Sequence, residues 1–261
     1  MSDEWNAAVY HQISAPQVNW GKKVLARIRL GGDETVLDAG CGTGRLTRDL
    51  LDALPRGRVV ALDISGNMID AARAYLKPDY GDRVEFVRCN LLEMPFDRCF
   101  HGIFSTASFH WVRDHETLFR VLYRALRSDG WLCAQCGGSG NLSRFLARVE
   151  ALMRQKPFTR YFDGYSSPWE YSDAETAATR LERAGFEQVE TNLEEAPTQF
   201  PNAQAFQQFV GSVILLRHLE RLPGPELRGE FLAALTRQAA SDTPAFLLDY
   251  WRLNFQARRR N

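Results

Sequence analysis

Three glycines at alternating positions are the most informative feature of this chain. Gly40, Gly42 and Gly44 follow a short apolar segment that contains the acid Asp38. Glycine allows backbone conformations, and close approach of a ligand, that side chains prevent. The helix that we expect from Arg45 onward offers free backbone N–H groups at its start. A strand, this loop and a helix together predict a site for a nucleotide-type ligand.

The spacing of the glycines separates two kinds of nucleotide site. Dinucleotide sites carry GxGxxG, whereas this chain has GxGxG because position 45 is arginine. A second acid, Asp63, ends the next apolar segment 25 residues after Asp38, where a carboxylate can accept both ribose hydroxyls of a nucleoside. Asp38 has two interpretations: it orients the glycine loop, or it meets a cationic group of the ligand.

Alternating strands and helices must position these residues. Helical segments separate most of the predicted strands, which is the pattern of βαβ units, and the nearly continuous hydrophobicity of the strands predicts a parallel sheet covered on both faces. The predicted strands are Thr35–Asp38, Arg58–Asp63, Val84–Arg88, Phe100–Ser105, Trp131–Gln135, Phe186–Leu193 and, as the last, Phe246–Ala257.

The domain organisation predicted from the chain is a core with additions. Residues 1–32 are assigned to an N-terminal helical lid. Residues 33–136 and 173–261 form the core. Residues 137–172, rich in aromatic side chains, and the helical residues 200–244 are interpreted as insertions within the same domain that cap the substrate.

Two motifs carry a resemblance to a known family. The segments DAGCGTG (Asp38–Gly44) and DISGNM (Asp63–Met68) resemble motifs of the class I S-adenosylmethionine-dependent methyltransferases. The pattern from about Trp5 to Gln135 is similar to the branch that includes the trans-aconitate, malonyl carboxylate and juvenile hormone acid methyltransferases. The resemblance implies a Rossmann-like, doubly wound α/β sheet of seven mostly parallel strands, with an antiparallel last strand and helical lid insertions. It also implies S-adenosylmethionine as cofactor and S-adenosylhomocysteine as product.

The resemblance also implies roles for individual residues. The glycine loop holds the methionine moiety, Asp63 holds the ribose, and Ile64 and Met68 flank the adenine. Asn90 stands where relatives have an acid that binds the adenine amino group, and its amide oxygen can still accept a hydrogen bond. The implied cofactor-binding residues are Tyr10, Gln17, Trp20, Asp38, Gly40, Cys41, Gly42, Gly44, Asp63, Ile64, Met68, Asn90, Leu91 and Ser105.

An aromatic pair follows the fourth predicted strand. His110 and Trp111 lie after the carboxyl end of that strand, where open α/β sheets bind ligands, and a tryptophan face can stabilise a sulfonium cation. In the alternative interpretation, Trp111 packs under the next helix and His110 caps it. His110 is the candidate catalytic base for a hydroxyl acceptor. The predicted substrate-binding residues are His110, Trp111, Tyr161, Tyr165 and Trp169.

Composition and missing motifs narrow the function. The segment 105–111 has no carboxylate, so we predict no metal of the Mg²⁺ type. It also lacks the Pro-Pro-aromatic element of nucleobase-methylating enzymes. Since Lys+Arg and Asp+Glu both number 32, there is no net positive field for nucleic acid, which we do not expect as a partner.

The composition also indicates the cellular compartment in which we expect the protein. The longest aliphatic run, Val213–Leu216, is too short to span a bilayer. Five scattered cysteines fit a reducing compartment. We expect a soluble, cytoplasmic monomer or homodimer without a membrane partner.

We therefore predict methyl transfer to a small molecule, with a carboxylate or another oxygen nucleophile favoured. A carboxylate needs no base at pH 7 because it is already ionised. The alternatives are a quinone-type C-methyltransferase, a cyclopropane-type lipid enzyme and a catalytically silent cofactor-binding module. A nicotinamide-dependent dehydrogenase is disfavoured by the glycine spacing. The sequence does not identify the acceptor.

Overall fold

A seven-stranded sheet is the framework of the first of two compact units. The computed structural model describes residues 7, 11 and 15–260. The first unit comprises the described residues up to Ser139, together with Trp169–Glu194 and the chain from Arg252 onward. The second unit comprises Gly140–Pro168 and Glu195–Trp251. Residues 169–172, which the sequence analysis assigned to an insertion, therefore group with the sheet.

Helices and strands alternate over much of the chain from α1 to β5. In order they are α1 (Ala15–Leu25), β1 (Thr35–Ala39), α2 (Arg45–Ala53), β2 (Arg58–Asp63), α3 (Gly66–Tyr80), β3 (Val84–Arg88), β4 (Phe100–Thr106), α4 (His115–Ala125), β5 (Leu126–Gly137), α5 (Ser143–Met153), α6 (Ala174–Arg183), β6 (Phe186–Glu195), β7 (Thr198–Gln199), α7 (Ala203–Phe209), α8 (Leu216–Arg221), α9 (Gly224–Ala240), β8 (Leu247–Leu248) and β9 (Trp251–Arg259). No helix in this part of the chain is long and apolar enough to cross a membrane.

The order of the strands creates the place where a ligand can bind. It is β3-β2-β1-β4-β5-β9-β6. The strands from β3 to β5 are parallel, and β9 is antiparallel to β5, with Gly137 opposite Arg252. The predicted seven-stranded, mostly parallel sheet with an antiparallel last strand is confirmed. Because the chain leaves β1 toward β2 on one side and returns to β4 on the other, a crevice forms at the carboxyl ends of β1 and β4.

Both faces of the sheet are covered, as the sequence predicts. Val36 and Val59 belong to one buried cluster, while their neighbours Leu37 and Val60 belong to the other. Burying each such side chain contributes about 1.5–3 kcal/mol. A slip of one residue would exchange the two faces, so this packing fixes the register of β1 and the position of the loop that follows it.

Two strand predictions differ from the structure by more than two residues. Strand β5 begins at Leu126, before the predicted start at Trp131. The extra residues form a bulge, since Phe100 pairs with Leu126 but Gly102 pairs with Trp131. The prediction of one continuous last strand is also wrong. Strand β8 pairs with β7 in a separate two-stranded sheet, and only β9 joins the large sheet.

Aromatic rings make many of the contacts within the second unit. The ring of Phe231 lies 5.0 Å from that of Phe158 and 5.7 Å from that of Phe162. Phe206 packs on Phe145 with the ring centroids 5.9 Å apart. Such edge and offset contacts each add about 0.5–1.5 kcal/mol to the burial of the rings. The unit is therefore a helical region with an apolar core of its own.

Candidate active site

The glycine loop turns the chain from β1 into α2. Gly40 and Gly44 have φ angles of 85° and 82°, in the left-handed region that favours glycine. A Cβ atom on Gly40 would lie 2.0 Å from Ser108 Oγ, and one on Gly44 would lie 2.8 Å from Leu76 Cδ1. Both positions therefore need glycine for space as well as for conformation.

The carboxylate of Asp63 ties this loop to the end of β2. Its Oδ2 accepts a hydrogen bond from the Gly42 N–H at 2.9 Å, and its Oδ1 accepts one from the Ser65 N–H at 2.9 Å. The Gly40 N–H also donates to the Leu62 carbonyl oxygen, at 2.8 Å. These hydrogen bonds fix the orientation of Asp63, whose ionised carboxylate has about four acceptor positions in all.

Asp38 lies beneath the loop and is only 2% exposed. Its Oδ2 accepts a hydrogen bond from Thr47 Oγ1 at 2.6 Å. Burial raises the pKa of Asp38 to about 7, against the opposing effect of the Thr47 hydrogen bond. The carboxyl is thus close to the balance between its neutral and ionised forms at neutral pH. Both interpretations from the sequence, loop support and contact with a cationic group, are compatible with this environment.

A cavity opens beside the loop at the crevice between β1 and β4. It is lined by Gln17, Val18, Asp38, Gly40, Cys41, Gly42, Thr43, Arg45, Leu46, Thr106 and Ala107. Gln17 Oε1 is buried and has no hydrogen-bond partner among the described residues, a situation that costs about 1–3 kcal/mol. Ala107 has φ of 55°, in the left-handed region that residues other than glycine seldom adopt. The cavity therefore fits a polar ligand that carries an N–H donor.

The predicted adenine side has one exposed apolar residue. Ile64 is 39% exposed and follows Asp63 directly, so it offers an apolar surface to a base. Met68 and Leu91 are buried. Asn90 caps a short helix, with its Oδ1 accepting a hydrogen bond from the Leu92 N–H at 3.0 Å. That cap uses one lone pair of the amide oxygen and leaves one for a ligand.

His110 lies in a short helix, Phe109–Trp111, after β4. Its Nδ1 accepts a hydrogen bond from the Gly137 N–H at 3.3 Å. Burial, followed by the charge of Arg252, lowers the pKa of His110 well below its ordinary value. Together these fix a neutral ring with its proton on Nε2. Such a ring donates a hydrogen bond from Nε2, so its geometry does not favour the predicted role of general base.

Three of the five predicted substrate-binding residues come together in the first unit. The rings of Trp111 and Trp169 lie 5.7 Å apart, and Trp169 stacks on Tyr171 at 5.8 Å. The Glu170 N–H donates to the His110 carbonyl oxygen at 2.9 Å. These contacts join the turn after β4 to residues 169–171 and form an aromatic wall.

Tyr161 and Tyr165 lie in the second unit. The guanidinium of Arg160 stacks on the Tyr161 ring, 4.7 Å from its centroid. The Tyr165 hydroxyl lies 3.3 Å from His218 Nδ1, and burial raises the pKa of Tyr165 to about 12. Their role in binding the acceptor stays a prediction.

The remaining predicted residues have varied surroundings. Tyr10 lies outside the described residues. Trp20 lies on α1 with the guanidinium carbon of Arg252 4.5 Å from its ring centroid. Ser105 Oγ donates to the Ala39 carbonyl oxygen at 2.6 Å. Burial raises the pKa of the Cys41 thiol well above its ordinary value, so this thiol is neutral at pH 7.

Two supporting residues were missed by the sequence analysis. Thr47 bonds to Asp38, and its place on the first turn of the predicted helix was a usable signal. Ser108 fills the space over Gly40 and its Oγ donates to the Gly40 carbonyl oxygen at 3.2 Å. Among the described residues no group of three His, Cys, Asp or Glu side chains could hold a metal ion.

Comparison with known proteins defines the class. A family described as a methyltransferase domain matches residues 36–130. An uncharacterised methyltransferase of Schizosaccharomyces pombe is 30% identical over 193 residues, which are 70% of this chain and 71% of that protein. The chain belongs to the class I S-adenosylmethionine-dependent methyltransferases, and S-adenosylmethionine is its cofactor.

Two further similar proteins have names that state a substrate. The trans-aconitate 2-methyltransferase of Escherichia coli is 36% identical over 135 residues, which are 52% of this chain and 51% of that protein. The chain thus spans about half the length of this relative. The structure of phosphoethanolamine N-methyltransferase 2 from Haemonchus contortus, bound to phosphomonomethylethanolamine and S-adenosylhomocysteine, has a TM-score of 0.64 at 19% identity, over 98% of this chain and 57% of that one. At that identity the likeness concerns the fold alone.

Proposed function

We propose that this methyltransferase transfers the methyl group to a carboxylate oxygen of a small organic acid. The observation that carries the proposal is the hydrogen bond from the Gly137 N–H to His110 Nδ1. This hydrogen bond holds the neutral imidazole so that it can donate a hydrogen bond, on the turn after β4 where we place the methyl acceptor. An acceptor that is already ionised at pH 7 needs no base, and a donor at Nε2 can orient one of its oxygens. The likeness to a trans-aconitate methyltransferase agrees with such an acceptor.

The chain's own residues would hold the cofactor in the cavity beside the glycine loop. Asp63 would accept the ribose hydroxyls, and Ile64 would lie against the adenine. Gln17 Oε1, which has no hydrogen-bond partner among the described residues, would take a hydrogen bond from the methionine amine. The loop from Gly40 to Gly44 would allow the amino-acid end to approach the backbone. This division matches the ribose hydroxyls and the amine, which are donors, with side chains that accept hydrogen bonds.

The reaction needs alignment more than acid–base chemistry. The cofactor supplies a methyl group on a sulfonium, and when a carboxylate oxygen attacks its carbon the new O–C bond forms as the C–S bond breaks, with the electron pair left on sulfur. No proton is released. His110 would hold the second carboxylate oxygen through its Nε2–H. The wall of Trp111, Trp169 and Tyr171 would exclude water and offer ring faces to the cation.

A labelled-methyl assay tests this proposal. The enzyme is incubated with methyl-labelled S-adenosylmethionine and a panel of trans-aconitate, other di- and tricarboxylic acids, the matching amides, a quinol and phosphoethanolamine. We expect label only in the acids, as an ester that alkali releases. The amides serve as matched controls, because they keep the shape but lose the ionised oxygen. Label confined to the quinol or the amine would refute the proposal, and binding of S-adenosylhomocysteine without any transfer would indicate a silent module.

A further inference from the structure

Helix α1 carries a buried glycine in its interior. Gly21 lies between the ends of α1 and is buried, although glycine is one of the least favourable residues inside a helix. A Cβ atom at this position would lie 2.2 Å from Leu46 Cδ1 and 3.0 Å from Leu46 Cδ2. At this point α1 packs so closely against Leu46 of α2 that no room remains for a methyl group.

Both helices in this contact form walls of the cavity beside the glycine loop. Gln17 and Val18 of α1 line the cavity, and so do Arg45 and Leu46 of α2. Leu46 therefore belongs both to the contact between the helices and to the cavity wall. A change in the contact reaches the cavity through this residue.

Gln17 lies on the same face of α1 as Gly21. The two residues are four positions apart, which places them on one side of a helix, and both are buried. Val24 lies about one turn further along, is 0% exposed and shares a buried cluster with Val36 of β1 and Leu50 of α2. This face is therefore the inner face of α1, and its distance from α2 sets the position of the Gln17 amide.

The carboxyl end of α1 is fastened to the sheet. The Val24 carbonyl oxygen accepts a hydrogen bond from Cys133 Sγ at 3.8 Å. Arg27, two residues beyond the helix, donates to Asn254 Oδ1 at 2.7 Å. Because these contacts hold that end on β5 and β9, extra volume at Gly21 has to be accommodated by Leu46 or by the half of α1 that carries Gln17.

We propose that Gly21 is a positioning residue for the cofactor. Its lack of a side chain lets α1 approach α2 until both Gln17 and Leu46 line the cavity. The inference rests on the placement of the cofactor in this cavity under the proposed function. An added methyl group either forces Leu46 into another rotamer, which alters the cavity wall, or displaces α1, which withdraws Gln17 Oε1 from the ligand. Both changes weaken cofactor binding.

Calorimetric titration with S-adenosylhomocysteine tests the inference on the wild type, Gly21→Ala, Leu46→Ala and the double variant. We expect Gly21→Ala to bind about 3- to 10-fold more weakly, which corresponds to the loss of one ordinary hydrogen bond. Leu46→Ala removes the three atoms nearest to the added Cβ and, as part of the cavity wall, has an effect of its own. In that background we expect Gly21→Ala to change the affinity by less than about 2-fold, because two residues in contact are coupled.

Gly229→Ala is the matched control. Gly229 also lies inside a helix, α9, but a Cβ atom there would meet nothing within 4 Å, so we expect this variant to bind like the wild type. Circular dichroism and thermal unfolding without ligand show whether each variant is folded. A role of Gly21 in stability alone would change the unfolding temperature and leave the affinity of the folded chain unchanged.

Equal affinity in Gly21→Ala and the wild type would overturn the inference, as would the same loss in the wild-type and Leu46→Ala backgrounds. A Gly21→Ala chain that does not fold would assign the contact to folding and overturn the inference as well. Gln17→Ala separates this inference from the placement of the cofactor. Normal affinity in Gln17→Ala would contradict that placement and the inference with it. Weaker binding in Gln17→Ala together with normal affinity in Gly21→Ala would contradict only the inference.

Discussion

The glycine loop and the second unit are built by different kinds of interaction. In the loop, hydrogen bonds to Asp63 and to the Leu62 carbonyl oxygen fix the backbone, and Gly40 has no room for a side chain. In the second unit, aromatic rings such as those of Phe158 and Phe231 pack at 5.0 Å. Directional contacts allow few substitutions, whereas apolar packing accepts volume-conserving changes at a cost usually under about 1.5 kcal/mol.

The methyltransferase domain match lies in the unit that carries the loop. The methyltransferase domain match covers residues 36–130 and therefore the loop, Asp63 and Asn90. It does not extend to the second unit, which begins at Gly140. The loop thus depends on backbone conformations that few residues other than glycine adopt. The sequence-predicted acceptor residues Tyr161 and Tyr165 belong to a part of the chain that can change its side chains more freely.

The largest expected effect is that of Gly40→Ala. The added Cβ would lie 2.0 Å from Ser108 Oγ, at a φ angle of 85°. We expect a loss of about 2–4 kcal/mol in the free energy of unfolding, from backbone strain and overpacking together. Denaturant unfolding measures the stability, and titration with S-adenosylhomocysteine should show that binding is lost as well.

Two other glycines serve as controls for this prediction. Gly81 also has a positive φ, 55°, but a Cβ there would meet nothing within 4 Å. Gly81→Ala should therefore cost only the strain of about 1–2 kcal/mol and leave cofactor binding intact. Gly229 lies inside α9 of the second unit with open space around its Cα, so Gly229→Ala should stabilise by up to about 1 kcal/mol. Equal effects at Gly40 and Gly81 would contradict the crowding argument.

A pH-dependent effect of intermediate size is expected for Asp38. Burial raises the pKa of this carboxyl to about 7, so between about pH 4 and 7 the folded chain holds a proton that the unfolded chain has lost. The stability contributed at this position therefore falls as pH rises through that window and is constant above it. The free energy of unfolding of Asp38→Asn, relative to that of the wild type, should therefore rise by about 2–3 kcal/mol between pH 5 and 8.

Thermal or denaturant unfolding at several pH values checks this expectation. Asp82→Asn is the control, because Asp82 is exposed and its ion pair with Lys77 lowers its pKa. Asp82 finishes titrating below pH 5. The difference in the free energy of unfolding between Asp82→Asn and the wild type should therefore not change over the same range. If the difference in unfolding free energy between Asp38→Asn and the wild type does not change with pH, the carboxyl of Asp38 ionises normally in the folded protein.

The smallest effect is expected in the second unit, for Tyr165→Phe. The change removes a hydroxyl that lies 3.3 Å from His218 Nδ1 but keeps the ring, which packs at 4.8 Å on the same imidazole. We expect a loss of about 0.5–1.5 kcal/mol in stability and no change in affinity for S-adenosylhomocysteine. The KM for the acid acceptor is the informative quantity, since an unchanged KM would argue against the predicted role of Tyr165 in substrate binding.

Much of the sheet around the cofactor could be predicted from the sequence. The bounds of β2 and β3 agree with the prediction, because the apolar run of β2 ends at an acid and β3 follows the turn residues Gly81 and Asp82. The start of β5 could not be predicted, since Leu126–Gly130 become a strand only by pairing with β4 around a bulge. The break before β9 depends on Asp249, whose Oδ2 accepts the Arg144 N–H at 2.8 Å, a contact between distant parts of the chain.

The candidate site also has features that could be predicted from the sequence and features that could not. The loop and Asp63 were predicted because glycine spacing and the distance to the next acid are local properties of the chain. The tautomer of His110 depends on the N–H of Gly137, which no local pattern indicates. Arg252 was not singled out because residues 252–255 are all buried. A strand covered on both faces has no alternation of polar and apolar side chains that would reveal a buried cation.

The central claim is that the loop after β1 and the acid that ends β2 hold a nucleoside attached to methionine. Calorimetric titration of the wild type and of Asp63→Ala with S-adenosylhomocysteine, and of the wild type with NAD, tests it most directly. We predict that the wild type binds S-adenosylhomocysteine and does not bind NAD, and that Asp63→Ala loses about 1–3 kcal/mol of binding free energy with its carboxylate. Tight binding of NAD without a response to S-adenosylhomocysteine, or an unchanged affinity in Asp63→Ala, would contradict the claim.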